Sequence, residues 1–525
     1  MNMKKWFYIW SVIQLLCISC FDDESNSNIH ALNPIVIDNL NPNEYFSLYM
    51  GDTLKVEPVI YCEGVPDAKL SFEWKLMGGS IVPKIIDSTM YCCAQILAPP
   101  FSGAYELWLT VKDETTGICR IERFSVKVQS PFDEGLVVAY TEDGINSDLS
   151  LIQAKEVSGT MSDKNNNIKI FEHLWSQNNG EKMPGLVLAG ITSSRTSPVL
   201  HSMTVVTTEK IFRADYYDYL NIPEQCDEAL FQMVPPNIGH GYTSANICIH
   251  PTTKHEMLEL NGMVSSRDVQ RGINYISYPI YPNGVNDYHV SLSYAAASYS
   301  ALYCYDDLKK RMIFFKFNNG WVAQKQNPVS QCDISDLSAY SPFFLGESRD
   351  GITLLMKENE TGAYKAVAMN VYTSDYKDKY VRNMYDFSVA QDLGQAKYWE
   401  LNPKERMVYY ASDTKLYAAS LNPVQSEVAW TAPNDEIITG IKLYNWRGGR
   451  MVITNDDGSL KSLDSQFRMM MIFTYNPETN EGRINCVPIL TYDSPRGLSQ
   501  GKKFQRTFGT KGEFGKILKV FKQER

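Results

Sequence analysis

The chain has 525 residues, of which 44% are hydrophobic and 21% are charged, which is the composition of a packed globular protein and not of a disordered one. This length exceeds what a single hydrophobic core usually supports, so at least two domains are expected. The formal net charge of −10 and the lack of a dense Lys/Arg block argue against a nucleic-acid partner.

The first 20 residues have the pattern of a bacterial lipoprotein signal. Lys4 and Lys5 precede an apolar run over residues 6–18, and Ser19 then precedes Cys20. The run is too short to cross a bilayer, which takes about 20 residues. The pattern predicts a cleaved signal peptide over residues 1–19 and lipidation of Cys20, with several acyl chains holding the mature protein at the membrane.

An acidic run follows within the predicted tether over residues 20–34. Asp22, Asp23 and Glu24 come directly after the predicted lipidation site. The run resembles the surface-export signal of Bacteroidetes lipoproteins, and this resemblance implies an outer-membrane protein that faces the cell exterior. The alternative is a plain solvated linker, because disordered tethers use the same residue types.

The cysteine count constrains disulfide pairing. The sequence has eleven cysteines, and those beyond Cys20 are odd in number, so at least one thiol stays unpaired in an oxidising compartment. A disulfide from Cys62 to Cys92 or Cys93 is one alternative, and small core residues are the other. No cysteine spacing is typical of a zinc site.

Residues 35–130 alternate between apolar and polar residues in the manner of half-buried strands. The predicted strands lie at 54–59, 70–74, 105–112 and 123–128, and Trp74 falls at the centre. About 95 residues with a central tryptophan predict an immunoglobulin-like β-sandwich.

One strand of this region carries a family resemblance. Gly103, Ala104 and Tyr105 open a strand that ends at Asp113, a form similar to the penultimate strand of PKD domains. The turn after Trp74 departs from the PKD pattern, since residues 75–79 read Lys-Leu-Met-Gly-Gly.

Together with the signal peptide, the acidic run and the segment at 132–138, the chain resembles the PKD-like lipoproteins of Bacteroidetes. That resemblance implies an accessory of outer-membrane uptake systems of the starch-utilisation type. It supplies no catalytic residues.

Residues 131–525 contain β-hairpins that recur roughly every 45 to 55 residues, which favours a β-propeller, seven blades being the most natural number. Asp-Gly and Asn-Gly turns mark several of them. The spacing is uneven between Thr208 and Tyr294. A tandem array of β-sandwiches is the alternative.

The C-terminus predicts how a propeller would close. Residues 514–521 form a last strand, and residues 135–140 form a first strand that lacks a partner nearby. In propellers the two chain ends often share one blade, which removes the open edge.

Sequence motifs for catalysis, metals and cofactors are lacking. His250, His255 and Glu256 do not have the spacing of a metalloprotease helix, and the Asn-Asp-Asp-Gly segment from Asn455 to Gly458 has the form of a hairpin turn. We therefore expect no catalytic residue, no metal site and no cofactor.

Aromatic residues in predicted loops are the candidates for ligand binding, because exposed rings offer flat contact surfaces to sugars and proteins. These candidates are Tyr216, Tyr217, Tyr219, Tyr444 and Trp446. The alternative is that such rings pack between blades.

The sequence thus predicts an all-β protein with a PKD-like sandwich at 35–130 and a propeller-like domain at 131–525. The expected function is a non-catalytic binding or accessory part of a glycan uptake system, with a transporter complex and a polysaccharide or protein ligand as partners. A propeller hydrolase or lyase, and an adhesive protein that binds another protein, are the alternatives.

Overall fold

The computed structural model describes residues 33–524, apart from gaps at 42–43, 80, 102, 133, 160–167, 197–198, 233–237, 240, 250–254, 269–274, 276–286, 296–300, 317–318, 323–331, 370–380 and 456. The chain divides into two compact units. The first comprises the described residues up to Ala98 together with Gly103–Val128, and the second comprises Pro99–Ser102 and the chain from Gln129 onward.

The first unit is a β-sandwich, as predicted. Its strands are β1 (Ile35–Asp38), β2 (Tyr45–Tyr49), β3 (Thr53–Val56), β4 (Val59–Cys62), β5 (Leu70–Met77), β6 (Lys84–Asp87), β7 (Cys92–Gln95), β8 (Tyr105–Asp113) and β9 (Cys119–Gln129). The main sheet has the order β2-β9-β8-β5-β6, and β1-β4 and β3-β7 form two further pairs. Trp74 is fully buried, and its indole N–H donates to the Thr89 carbonyl at 3.0 Å.

The second unit is also built almost entirely of strands. They are β10 (Gly135–Thr141), β11 (Asn146–Gln153), β12 (Lys169–Phe171), β13 (Met183–Pro184), β14 (Val187–Thr196), β15 (Val199–Thr207), β16 (Ile211–Asp215), β17 (Ala245–Ile249), β18 (His255–Leu260), β19 (Met263–Asp268), β20 (Val290–Ala295), β21 (Leu302–Asp306), β22 (Arg311–Lys316), β23 (Asn319–Val322), β24 (Tyr340–Ser348), β25 (Gly351–Glu358), β26 (Tyr364–Met369), β27 (Val381–Asp386), β28 (Tyr398–Leu401), β29 (Met407–Ala411), β30 (Lys415–Leu421), β31 (Val424–Thr431), β32 (Ile437–Leu443), β33 (Arg450–Thr454), β34 (Leu460–Asp464), β35 (Met469–Asn476), β36 (Glu481–Pro488), β37 (Arg506–Phe508) and β38 (Lys516–Gln523). Two short α-helices, α1 (Leu174–Asn179) and α2 (Arg496–Gly501), lie in connections between strands.

In the described part of the unit these strands form seven larger antiparallel sheets, which we number as blades, and one two-stranded sheet. Blade 1 is β12-β11-β10-β38, blade 2 is β14-β15-β16, and blade 3 is β17-β18-β19. Blades 4, 5 and 6 are the successive four-strand groups from β20 to β31, and blade 7 is β32-β35-β36-β37, with the β33-β34 hairpin inserted. The seven-bladed propeller predicted from hairpin spacing is confirmed.

The inner strands form a closed ring around the propeller axis. They are β38, β14, β17, β20, β24, β28 and β32, and each contacts the next until β32 meets β38 again. Seven hydrophobic clusters fill the seven interfaces between neighbouring blades. Each blade is therefore packed on both faces, which is how a propeller buries its core.

The last strand closes the ring, as the sequence predicts. β38 pairs antiparallel with β10, from Gly135 opposite Gln523 to Thr141 opposite Lys516. Blade 1 thus combines its inner strand from the C-terminus with three strands from the start of the unit. Because of this pairing, the backbone groups of β10 that would otherwise lie at an open sheet edge are hydrogen-bonded to β38.

Several inner strands carry a β-bulge in their pairing with the second strand of the blade. Register shifts occur in β14, β20, β24, β32 and β38. A bulge bends the strand, increases its twist and changes the direction of the side chains that follow. The simple alternation of side chains along a strand therefore does not predict the direction of the side chains near the axis.

The structure corrects one alternative from the sequence. Cys62 and Cys92 lie in different strand pairs, β1-β4 and β3-β7, and Cys93 is exposed. All nine cysteines from Cys62 onward are free. The disulfide alternative is wrong, and the sandwich is held by its hydrophobic core.

Candidate functional site

Polar side chains recur at one position of the inner strands, the residue before the last. That position is occupied by Arg195, Cys248, Tyr294, Glu347, Glu400, Lys442 and Lys522. Blades 2 to 7 begin with their inner strand, and β38 runs antiparallel to β10 as an inner strand does to the second strand of its blade, so these positions lie at the same end of the ring of inner strands. We call the last six of these residues, whose side chains the structure describes, the penultimate ring.

Tyr294 and Glu347 form the first pair in this ring. The Tyr294 hydroxyl donates to Glu347 Oε2 at 3.3 Å, across the junction of blades 4 and 5. Burial raises the pKa of Glu347, while the Tyr294 hydrogen bond and the Lys404 charge act in the opposite direction. Burial also raises the pKa of Tyr294 well above its usual value. Glu347 is thereby biased towards its neutral form.

Glu400 and Lys442 form the second pair, at the junction of blades 6 and 7. Lys442 Nζ lies 3.4 Å from Glu400 Oε2. The carboxylate also accepts backbone N–H groups from Leu401 at 3.3 Å and Leu443 at 3.2 Å. The Glu400 side chain is only 8% exposed, whereas that of Lys442 is 38% exposed. Glu400 is thus fixed in the wall, and Lys442 reaches solvent.

Lys519 adds a further amine beside this pair. It follows a bulge in β38, where Leu518 has no partner opposite Ala139 and Tyr140. The side chain is exposed, yet desolvation by surrounding protein, and then the charge of Lys442, lower its pKa. No described residue forms an ion pair with Lys519.

Lys522, by contrast, is a structural cation. Its Nζ lies 2.6 Å from Glu134 Oε1 and donates to the Val157 carbonyl at 2.5 Å, and its side chain is 2% exposed. Tyr444 donates to the same carbonyl at 3.1 Å. These contacts join the last strand of the chain to segments on either side of blade 1.

The aromatic residues chosen from the sequence are mostly core residues. Tyr216, Tyr219 and Tyr444 are each at most 1% exposed. Tyr216 Oη is hydrogen-bonded to His201 Nδ1 at 3.0 Å, and Tyr219 Oη donates to Gln523 Oε1 at 2.7 Å. The expectation that these three rings are exposed is wrong, because their hydroxyls find partners inside the protein.

Tyr217 and Trp446 are partly buried. The Tyr217 ring lies 3.9 Å from the His201 ring, measured between centroids, and Trp446 meets Tyr444 edge to face at 5.4 Å. The two residues lie in different parts of the propeller, near blades 2 and 7. The five aromatic candidates do not form one binding surface.

The remaining predicted site residues lie outside the described part of the chain. These are Cys20, Asp22, Asp23 and Glu24. Within the described ranges no group of three or more His, Cys, Asp or Glu side chains could hold a metal ion. No described helix is long and apolar enough to cross a bilayer.

The penultimate ring was missed by reading the sequence, although a signal for it exists. Tyr294, Glu347, Glu400 and Lys442 each end the first strand of a blade, so they recur at the blade spacing. A superposition of the predicted hairpins would have aligned them. Read singly, each is a polar residue beside a turn, which is common on any protein surface.

Residues 20–186 match the model of the PKD-like family. The matched segment begins at Cys20, spans the sandwich, and extends beyond it through β10, β11, β12 and β13 of blade 1. No curated protein matches the chain by sequence.

Solved propeller-containing structures resemble the chain at low identity. A quinonprotein alcohol dehydrogenase-like protein from Bacteroides thetaiotaomicron is 12% identical, with a TM-score of 0.41, 93% of this chain covered and 98% of that one. The periplasmic gluconolactonase of Pseudomonas aeruginosa is 12% identical, with a TM-score of 0.39 and coverage of 74% and 98%. The β-propeller domain of Myceliophteria thermophila Cps50 (Swd1) is 10% identical, with a TM-score of 0.36 and coverage of 65% and 93%.

Proposed function

We propose that this protein is a non-catalytic binding component of a glycan uptake system in the outer membrane, anchored through Cys20 and facing the cell exterior. The ligand is held at the end of the axial channel where the penultimate ring lies. The observation that carries the proposal is that four successive inner strands place Tyr294, Glu347, Glu400 and Lys442 at equivalent positions. Hydroxyl, carboxyl and amine groups around one opening are what recognition of sugar hydroxyls requires.

The propeller offers a rigid frame for such a site. Its inner strands are held from both sides by the hydrophobic clusters between blades. Polar groups presented from rigid strands lose little entropy when a ligand binds. The match of residues 20–186 to the PKD-like family supports the cellular role, since it includes the predicted lipidation site.

The first test is incubation of the chain from Phe21 to Arg525 with a glycan panel, measuring both protein retention and release of shorter products. We expect retention without products. Lys442→Gln should lower the affinity for the retained glycan at least about tenfold, because a charge-assisted hydrogen bond contributes roughly 1.5 to 3 kcal/mol. Lys415→Gln, an exposed lysine on β30, is the matched control and should bind normally. Equal binding by both variants would contradict the axial location.

Release of products would instead support the second candidate function, a propeller glycan hydrolase or lyase. Glu347, whose pKa burial raises, and Glu400, paired with Lys442, are the specific observation that favours it. Glycosidases use two carboxyl groups, one of which has a raised pKa and acts as the general acid. Glu347→Gln should then abolish product release while retention persists. Neither retention nor products would favour a protein partner.

The proposed lipid anchor and the proposed exposure at the cell surface are tested separately by two variants in the native host. Cys20→Ser should abolish palmitate labelling and release the protein from the membrane fraction, because the lipidated thiol is lost. Replacing Asp22, Asp23 and Glu24 by alanine should preserve labelling but remove sensitivity to external protease. Unchanged protease sensitivity would show that the acidic run acts only as a linker.

A further inference from the structure

We infer that the Phe467 ring is a further part of the binding site, a flat surface on which a pyranose ring of the glycan stacks beside the Glu400–Lys442 pair. This inference rests on the proposed function and names how the same site recognises its sugar. It starts from the backbone of Phe467, which lies in the turn between β34 and β35. The φ of Phe467 is 59°, in the left-handed region that a bulky side chain rarely adopts.

Three hydrogen bonds hold the main chain of Phe467 in this conformation. Its N–H donates to the Tyr444 carbonyl at 2.8 Å. Its carbonyl accepts from Asn402 Nδ2 at 3.0 Å and from the Tyr492 hydroxyl at 3.3 Å. A strained residue persists only where its surroundings fix it, and such residues are concentrated at active sites and ligand clamps. The strained and well-supported turn therefore indicates a role for Phe467 in binding.

The same hydrogen bonds join Phe467 to the two strand ends that carry the Glu400–Lys442 pair. Asn402 follows Glu400 by two positions, just after β28, and Tyr444 follows Lys442 by two positions, just after β32. Within the pair, Lys442 Nζ and Glu400 Oε2 lie 3.4 Å apart. Two residues of extended chain span about 7 Å, so a ligand of a few sugar units that contacts the pair also reaches the turn.

The Phe467 ring itself is partly exposed. It packs against the hydrophobic cluster between blades 6 and 7, and Lys404 Nζ lies 5.6 Å from its centroid. Lys404 is exposed on the turn after β28. Because a lysine side chain is flexible, its amine moves aside when a sugar covers the ring, and it then donates to the sugar hydroxyls. The ring and the amine thus supply apolar and polar contacts to one ligand.

Tyr492 supports Phe467 and is not a second stacking surface. The Arg468 guanidinium lies 4.1 Å from the centroid of the Tyr492 ring, and this ring also packs against the cluster between blades 6 and 7. The described residues of the site therefore offer one flat ring together with the polar groups of Glu400 and Lys442. Such a combination recognises a sugar through the C–H face of its ring and through its hydroxyls. The ligand class is a glycan of pyranose units, as opposed to an open-chain polyol, which has the hydroxyls but no ring face.

The test is calorimetric titration of the chain from Phe21 to Arg525 with maltotriose, cellotriose, mannotriose and the open-chain polyol sorbitol. We expect at least one trisaccharide to bind, and sorbitol binding as tight as that of the trisaccharides would overturn the ligand class. A nuclear magnetic resonance measurement needs only the wild type. Saturation of the aromatic protein protons should pass mainly to the sugar protons on one face of a ring. Equal transfer to the protons of both faces would overturn the stacking geometry.

Matched variants assign the contact to Phe467. Phe467→Leu keeps an apolar side chain but removes the flat ring, and it should lower the affinity for the tightest-binding trisaccharide at least about fivefold. Phe467→Tyr should retain most of the affinity. Tyr398→Leu is the control, because Tyr398 is another partly buried ring packed against the same cluster, at the other end of β28. It should change the affinity less than about twofold. Thermal melts verify that the variants fold. Equal losses in Phe467→Leu and Tyr398→Leu would overturn the assignment.

The outcomes separate this inference from the proposed function. Retention of panel glycans through Lys442, with affinity unchanged in Phe467→Leu, would overturn the stacking surface and leave the binding function standing. Binding that depends on Phe467 but not on Lys442 would support the stacking surface and overturn the axial location. If none of the three trisaccharides binds, the stacking surface is overturned, and retention of the glycan panel decides separately on the proposed function.

Discussion

At the scale of single residues, burial decides what each polar group near the propeller axis can do. Glu400 and Glu405 lie close together in the sequence but have different surroundings. Glu400 is fixed by Lys442 and two backbone N–H groups. Glu405, in the turn that follows β28, is fully buried and accepts hydrogen bonds from Tyr409 at 2.8 Å and Asn402 at 2.6 Å. The two side chains therefore differ in what surrounds them: Glu400 ends an inner strand beside a partly exposed lysine, and Glu405 is enclosed by the protein.

Glu405 leads to a prediction about pH. Burial raises its pKa to about 7 from an ordinary value of 4.5. Between these two values the folded protein holds a proton that the unfolded chain has released, so stability should fall as pH rises through this window. The full effect is up to about 3 kcal/mol. Chemical denaturation of the wild type at pH 4.5 to 8 should show this fall.

Glu405→Gln provides the check, because glutamine resembles the protonated acid and does not titrate. The dependence of its free energy of unfolding on pH should lose the part that Glu405 contributes between pH 4.5 and 7, while Asp215, whose pKa burial also raises to about 7, keeps its own contribution. Glu360→Gln, at an exposed position on the loop after β25, is the control and should keep the wild-type slope. A wild-type slope in Glu405→Gln would contradict the prediction.

At the scale of elements, the C-terminal strand has a role that no other single strand has. β38 is the inner strand of blade 1, its Phe521 belongs to the cluster between blades 1 and 2, and its Ile517 belongs to the cluster between blades 7 and 1. Gly190 on β14 lies so close to Phe521 that a Cβ there would clash with the ring. The strand therefore fits tightly between both neighbouring blades.

Removal of this strand should destabilise the whole propeller. A chain that ends at residue 513 loses β38, exposes the edge of β10 and opens two hydrophobic clusters. We expect its thermal melt to shift down by at least about 10 °C or to lose cooperativity. A chain that ends at Gln523 keeps β38 and should melt like the full chain. An unchanged melt for the shorter chain would refute the role of closure.

At the scale of the whole molecule, the sandwich and the propeller have separate hydrophobic cores. The sandwich core is centred on Trp74 and includes Leu107, Leu109 and Val111 from β8. The propeller core is divided among its seven interfaces between blades. Units with separate cores generally unfold in separate cooperative steps.

Calorimetry should accordingly resolve two unfolding transitions. Trp74→Phe removes the indole hydrogen bond to the Thr89 carbonyl and some buried volume, at a cost of about 2 kcal/mol. We expect it to lower one transition by several degrees and to leave the other unchanged. Trp108→Phe, on a partly exposed position of β8, should shift that same transition less. Equal shifts of both transitions by Trp74→Phe would show that the units unfold together.

Much of this architecture was predictable from sequence pattern, and the reasons are physical. β10 is buried along its whole length, with Leu136 and Val138 facing one cluster and Val137 and Ala139 facing another. A strand packed on both faces is a continuous apolar run, which is visible in any sequence. The ring closure was predictable because β38 alternates between polar and apolar residues as a strand does and has no neighbouring partner in sequence.

The candidate site could not be predicted in the same way. Glu347, Glu400 and Lys442 are far apart in sequence, and they share one position on successive inner strands only because the blades are arranged around an axis. The prediction that Tyr216 and Tyr219 are exposed was wrong because of their local sequence. They follow a strand in a polar segment, which is typical of a loop, but they pack into the core. A loop-like sequence sets local turns, and does not determine whether the rings that follow are covered by a neighbouring blade.

The pairing of the last strand with the first also sets an order of events during biosynthesis. The sandwich is complete in sequence by residue 129, so it can fold as soon as it emerges. Blade 1 lacks its inner strand until Gln523 has been translated. Until then the edge of β10 is open to pairing with other chains, a state prone to aggregation. We therefore expect the chain to need the help of chaperones until its last strand has been synthesised.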